Sequence, residues 1–186
     1  MFLPPESLVS TANNKYLDFL QIIMNLILVV GPSGSGKDTI INYVASRLPV
    51  KKVRRVITRP GNKFEDFESV TPEEFGKMKF FAKWEAHGKK YGIPLLGEGT
   101  HILNVSRTVA NELKEKYGAF IIELKTNKEI LRERLIRRGR DPPDEIRKRL
   151  EREVPVKSDF CVDTSNPDAS IAGEKVVNYI KEKLLI

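Results

Sequence analysis

Nine consecutive residues, Gly31-Pro32-Ser33-Gly34-Ser35-Gly36-Lys37-Asp38-Thr39, carry the most specific chemistry in this 186-residue chain. The glycines let backbone N–H groups turn inward with no Cβ in the way. A helix that starts just after them adds partial positive charge at its N-terminus. Lys37 supplies a full charge that reaches the β- and γ-phosphates of a nucleotide. The stretch therefore reads as a phosphate-binding loop. Its usual form places Ser or Thr directly after the lysine, as a ligand of Mg²⁺. Here Asp38 stands in that place, and the hydroxyl comes one residue later at Thr39.

A second group with chemical potential is rich in arginine. In the run Leu131 to Arg140, Leu131 and Leu135 share one helical face, and Arg134 and Arg138 share another. Arg149 lies beyond the Pro142-Pro143 break. Alone, such a run fits a solvated helix laced with ion pairs. Beside a phosphate loop it suits a lid, because fixed guanidinium groups stabilise the charge that spreads over a transferring phosphoryl group.

These residues need a frame. The apolar run Leu26 to Val30 precedes the loop, and Ile40, Ile41, Val44, Ala45 and Leu48 follow at helical spacing, with Pro49 closing the helix. Val53 to Thr58 reads as a strand and Arg59 to Asn62 as a turn. Thr71-Pro72-Glu73-Glu74 opens a helix with a capping box. Phe80 to Tyr91 mixes aromatics and charges and reads as short strands of a small inserted lobe, about 58–97. His101 to Ser106 is a core strand, followed by a helix ending at Tyr117-Gly118. Ala119 to Leu124 has the continuous apolar character of a buried parallel strand. Thr126 with Glu129 predicts a second capping box. That helix runs to Arg138-Gly139, a lid spans about 138–145, and Asp144 starts the next helix. Phe160-Cys161-Val162 is the last strand, and Asp168 caps a final amphipathic helix. Strands alternating with helices predict an α/β fold with a parallel sheet, the P-loop NTPase core. Its ligands sit at the C-terminal ends of the strands.

Residues 1–23 read as an extension on the 24–186 domain, broken by Pro4-Pro5 and by Ser, Thr and Asn. Met24 directly precedes the first strand, and one hypothesis makes it the true initiator. The start lacks the basic and small-residue pattern of a secretory signal, and no run reaches the roughly 18 apolar residues of a membrane span. A cytoplasmic location is the default expectation.

A net charge of +7 suits an anionic ligand. Nucleic acid is the other usual partner of a basic chain, but the aromatics are not spaced as a stacking platform, and none is expected. One cysteine, Cys161, excludes an internal disulfide, and its apolar neighbours predict a buried small residue. His87 and His101 have no cysteine partners for a zinc site.

In this order and spacing, Gly-Pro-Ser-Gly-Ser-Gly-Lys at 31–37, Ile57-Thr58-Arg59, Tyr91-Gly92 and the arginine pattern of 131–150 resemble the guanylate kinase group of P-loop kinases. The resemblance spans about 25–180. It implies an acceptor held by the inserted lobe, and adenine held near Ser165-Asn166-Pro167. Several GMP readers of that group are missing: the guanine-reading acid falls at Ala82, a hydroxyl at Ile93, phosphate-holding groups at Phe67 and Asn62, and two strand acids at Asn104 and Ser106. A site without such polar groups loses its grip on a base.

The closer resemblance is to the ribose 1,5-bisphosphate phosphokinase family. It rests on Asp38 after the loop lysine, on Trp84…Gly88…Tyr91-Gly92, on Asn104-Val105-Ser106-Arg107, and on Glu129-Ile130-Leu131-Arg132 followed by Arg138-Gly139-Arg140-Asp141. It implies ATP and Mg²⁺ as cofactors and a small phosphorylated acceptor with two phosphates and no base. The enzyme would act as a monomer or homodimer. Lys37, Arg134, Arg138 and Arg149 are the expected catalytic residues, and 31–39 the nucleotide site. Arg59, Tyr91 and Arg107 are expected to bind substrate, with Arg54, Lys63 and Lys90 as further cations. Asp38 is the expected Mg²⁺ contact, through water, in place of the missing hydroxyl and strand acid. No general base is evident, and an anionic phosphate acceptor needs none. The alternatives are a nucleoside monophosphate kinase acting on GMP or a similar acceptor, and a protein-binding module that has lost catalysis.

Overall fold

The structure, a computed structural model, describes residues 24–61, 65–86, 88–139 and 141–185. The extension at 1–23, Asn62, Lys63 and His87 lie outside the described residues. In chain order the elements are β1 (Met24–Val30), α1 (Lys37–Ala45), β2 (Lys51–Lys52), β3 (Arg55–Ile57), β4 (Phe67–Ser69), α2 (Pro72–Lys77), β5 (Phe80–Ala86) and β6 (Lys89–Pro94). There follow β7 (Gly99–Asn104), α3 (Arg107–Tyr117), β8 (Phe120–Lys125), α4 (Lys128–Arg138), α5 (Pro143–Glu151), β9 (Phe160–Asp163) and α6 (Ala169–Leu184).

The main sheet has the order β2-β7-β1-β8-β9, and every pair in it is parallel. Strand β1 lies at its centre, and its apolar side chains serve two cores at once because successive residues point to opposite faces. Ile27 and Val29 pack with Ile40, Ile41 and Val44 of α1 and Val176, Val177 and Ile180 of α6. Leu26, Leu28 and Val30 pack on the other face with Val109, Ala110 and Leu113 of α3. Burying each such side chain contributes about 1.5–3 kcal/mol. Gly173 lets α6 approach α1 closely, because a Cβ there would overlap the Tyr43 ring.

Strands β3 to β6 form a second sheet, ordered β4-β3-β6-β5, in which β6 is antiparallel to both its neighbours. Phe80 to Tyr91, expected as short fragments, is a long hairpin: seven residues in β5 and six in β6, turned at Gly88. Its Phe81, Ala82, Trp84 and Ile93 pack against the second core, which ties this sheet to the main one.

The capping box at Thr71 and Glu74 is present, and Gly118 and Gly139 end their helices in the left-handed conformation. Four local expectations are corrected. Asn127, not Thr126, caps α4, accepting from the Glu129 backbone N–H, because the Thr126 hydroxyl is engaged with that of Thr164 at 2.7 Å. Helix α5 begins at Pro143 rather than Asp144, with Pro fitting the first turn where no N–H partner is needed. Cys161 is exposed, since β9 is an edge strand that buries Val162 and turns Cys161 out beside Ser158 and Glu123. Leu48 is buried as expected, but α1 has already ended at Ala45.

Candidate active site

All strands of the main sheet end on one edge, and the loops leaving those ends build two adjoining cavities of about 590 and 330 Å³. The loop at 31–36 stands between them: Gly34, Gly36 and Thr39 line both. Its shape requires glycine at two points. Gly31 has φ +149°, and a Cβ on it would lie 2.8 Å from the Leu124 carbonyl oxygen. Gly36 caps α1 at φ 84°, aiming the helix N-terminus along the loop. The Thr164 hydroxyl donates to the Ser35 carbonyl at 2.9 Å, fastening the loop to the exit of β9.

Lys37 folds back on this loop, donating to the carbonyls of Gly31 at 3.0 Å and Pro32 at 2.8 Å. Burial lowers its pKa from 10.5 to about 8; Arg55 and Arg138 push the same way, and Asp38 and Glu65 oppose them. Asp38 lies next to Asn104, whose amide donates to Oδ1 at 3.1 Å. Asn104, where the guanylate kinase resemblance implies a strand acid, thus supplies an amide that orients the loop carboxylate instead.

The smaller cavity is lined by Arg134, Arg137, Arg138, Thr164, Asn166 and Pro167 with the loop. Arg134 is fixed there by donating to the Thr164 carbonyl at 2.9 Å and the Gly34 carbonyl at 3.3 Å. Burial, then Arg137 and Arg138, lower its pKa. Arg138 lines both cavities, at their junction.

The larger cavity lies between the loop, the β3–β6 sheet, the start of α3 and α5. Nine lysines and arginines line it against four acids, so it favours anions. Arg59 forms an ion pair with Glu65 and lies over the Phe67 ring, 4.6 Å from its centroid. Among the described residues its Nε is buried and has no hydrogen-bond partner. Phe67, where the guanylate kinase pattern has a phosphate-holding tyrosine, serves here as the platform beneath the arginine. Tyr91 lines the wall, stacked on Trp84 with centroids 5.4 Å apart. Arg107 donates to the Arg152 carbonyl at 3.0 Å, and burial, then Arg152, lower its pKa. Arg149 pairs with Asp141 at 3.3 Å, and among the described residues its buried Nε has no hydrogen-bond partner.

The structure brings together 31–39, Arg59, Tyr91, Arg107, Arg134, Arg138 and Arg149. It does not bring Arg54 or Lys90 to the cavity: Arg54 points outward to Asp66, at 2.7 Å, and to the Phe67 carbonyl, and Lys90 is exposed. Ala82 and Ile93, the positions of the missing base readers, are packed into the second core and do not line the cavity. Arg55, Glu65, Lys89, Lys148 and Arg152 line it and were not singled out from sequence. Arg55 had a readable signal. In extended chain, alternate residues share a face, so Arg59 and Ile57 carry Arg55 with them and turn Arg54 away.

No family model matches the chain. It is 38% identical over 157 residues to the ribose 1,5-bisphosphate phosphokinase of Acidiphilium cryptum (strain JF-5), an alignment covering 78% of this chain and 87% of the relative. It is 33% identical over 176 residues to the ribose 1,5-bisphosphate phosphokinase of Agrobacterium fabrum (strain C58 / ATCC 33970), covering 84% and 96%. Among solved structures, the guanylate kinase of Anaplasma phagocytophilum superposes with a TM-score of 0.59 at 19% identity, covering 86% of each chain. A gluconokinase of Sinorhizobium meliloti 1021 does so with 0.53 at 20%, covering 87% and 95%. These two likenesses share the fold, an α/β P-loop kinase core. With that fold, a cation-lined cavity beside the phosphate loop, and identity above 30% across most of both relatives, the chain belongs to the ribose 1,5-bisphosphate phosphokinase family.

Proposed function

We propose that this chain transfers the γ-phosphoryl group of ATP to the 1-phosphate of ribose 1,5-bisphosphate, giving 5-phosphoribosyl 1-diphosphate and ADP. The observation that carries the reading is the acceptor cavity, which is rich in guanidinium groups while the base-reading positions Ala82 and Ile93 are core residues. Charge on two phosphates, rather than the edge of a base, is what such a wall recognises.

In this reading the smaller cavity takes the adenine, near Asn166 and Pro167, with Arg134 along its wall. The loop N–H groups and Lys37 hold the β- and γ-phosphates. An oxygen of the acceptor 1-phosphate forms the new P–O bond as the bond to the ADP β-phosphate breaks. That oxygen is already anionic, so positioning and charge stabilisation carry the catalysis. Arg138, at the junction, sits where the transferring group must pass. Arg149 reaches the phosphates by exchanging its Asp141 partner for them, and Arg59 and Arg107 hold the acceptor beside Tyr91.

The donor set at the loop fits Mg²⁺. Asp38 and the Thr39 hydroxyl line the cavity, and among the described residues no cluster of three or more His, Cys, Asp or Glu could hold a metal alone. A nucleotide-borne Mg²⁺ takes one or two carboxylates besides phosphates and water. When bound it neutralises charge on the β- and γ-oxygens, and Asp38, oriented by Asn104, would hold it through water. No described helix is long and apolar enough to cross a membrane.

A second reading, a nucleoside monophosphate kinase, is favoured by one feature: the stacked Trp84–Tyr91 pair could take a planar base. ADP release from ATP and Mg²⁺, with ribose 1,5-bisphosphate, GMP and other monophosphates offered in parallel, separates the two. Turnover confined to ribose 1,5-bisphosphate is expected; turnover confined to GMP would replace the first reading with the second.

A further inference from the structure

Building on the kinase reading above, we propose that Arg55 holds the second, non-reacting phosphate of the acceptor and thereby selects a bisphosphate over a monophosphate. Arg54 and Arg55 are neighbours with opposite fates. Arg54 is satisfied at the surface by Asp66. Arg55 turns into the larger cavity, where it is half-buried. Among the described residues its side chain makes no hydrogen bond and no ion pair; Asp38 and Glu65 act on it only from a distance, and Arg59 and Lys37 repel it. Burial is the main cause that pulls its pKa below the ordinary arginine value. A desolvated guanidinium without a partner stands ready for an anion, and its planar fork matches phosphate.

The assignment to the second phosphate follows from the neighbouring cations. Arg138 likewise makes no hydrogen bond and no ion pair among the described residues, and it lines both cavities. It therefore faces the transferring group at the junction. Arg55 lines the acceptor cavity alone. The reacting phosphate must stand close to Lys37 and Arg138, so the phosphate across the sugar ring needs a cation on the β3–β6 wall. Arg59 is already paired with Glu65, and Arg107 already donates to a carbonyl. Among the described residues Arg55 is the guanidinium on that wall with no hydrogen bond or ion pair; Lys89, the other cation there, is an exposed ammonium without the planar fork.

Calorimetric titration of wild type, Arg55→Lys and Arg55→Met with ribose 1,5-bisphosphate, ribose 5-phosphate and ribose 1-phosphate tests this. Losing a charge-assisted fork should weaken the bisphosphate and ribose 5-phosphate by on the order of 10²-fold in Arg55→Met. Ribose 1-phosphate should change by less than about threefold, since it lacks the contacted group. Arg55→Lys, which keeps the charge and loses the fork, should fall between and guards against a misfolded methionine variant. Weakening of ribose 1-phosphate with ribose 5-phosphate unmoved would assign Arg55 to the reacting phosphate and overturn the proposal. Equal loss for all three ligands, or none, would overturn it too. A wild-type protein that neither binds nor phosphorylates ribose 1,5-bisphosphate would sink the kinase reading itself, a result distinguishable because it precedes any variant.

Discussion

The phosphate loop and the acceptor wall are built by different means. The loop, which stands between the two cavities, is made largely of backbone: glycines at 31, 34 and 36, carbonyls that fasten Lys37 and Arg134, and a helix N-terminus. The acceptor wall is made of side chains that converge from 55–59, 65, 84–91, 104–107 and 138–152. A backbone site tolerates little change of chain and reads one chemical feature, the polyphosphate common to nucleotides. A side-chain site on a separate sheet can exchange its readers without disturbing the fold. That difference lets one architecture host acceptors as unlike as a nucleotide and a sugar phosphate, and it explains why the fold-level likeness to a guanylate kinase and a gluconokinase leaves the acceptor open.

The sharpest way to break the contrast is on the backbone side. Gly31→Ala places a Cβ against Leu124 and Ser35 at a φ that side chains rarely adopt. It should abolish ATP binding in a titration, whereas loss of any one acceptor-wall arginine should leave ATP binding in place. Lys37→Ala should lower kcat by on the order of 10³-fold, as loss of a preorganised donor does. Steady-state ADP release measures it, and a loss under tenfold would remove Lys37 from the transition state.

A change of pH probes the same lysine. With a pKa lowered to about 8, Lys37 is already charged below that pH and must take up a proton above it to meet phosphate. ATP affinity should be flat below pH 8 and then fall by up to about tenfold per unit. Titrations in buffers of different ionisation enthalpy at pH 8.5 should show proton uptake; none would mean that the lysine is charged throughout. Asp38→Ala should raise the Mg²⁺ concentration for half-maximal rate by about tenfold, in line with loss of one supporting contact. An unchanged Mg²⁺ titration would leave Asp38 as a helix-start acid only.

The smallest effect concerns the frame. Asn127→Ala should cost about 1 kcal/mol of stability through loss of the α4 cap. Thermal melting measures it, and an unchanged midpoint in Asn127→Ala would remove Asn127 as the cap.

Legibility from sequence followed the same division. The loop, β1 and α1 form one contiguous motif, and periods of two and of 3.6 residues with local caps mark the parallel core. The acceptor wall lacks that contiguity. Arg54 and Arg55 are indistinguishable by composition; the alternation of an extended chain groups Arg55 with Arg59, and the pairing of β3 with β4 and β6 fixes which face meets the cavity. Lys148 and Arg152 carry no motif of their own, and tertiary placement alone brings them to the cavity. Cys161 shows the limit in reverse: its apolar neighbours suggest burial, but an edge position decides which face is covered.

The central claim is tested most directly by following the phosphorus chemistry. A ³¹P NMR time course of the protein with ATP, Mg²⁺ and ribose 1,5-bisphosphate should show the sugar 1-phosphate resonance replaced by a coupled diphosphate pair as ADP appears, with the 5-phosphate resonance kept. Formation of ADP with the 1-phosphate signal intact, or no change beside rapid conversion of GMP to GDP in a parallel tube, would contradict the account.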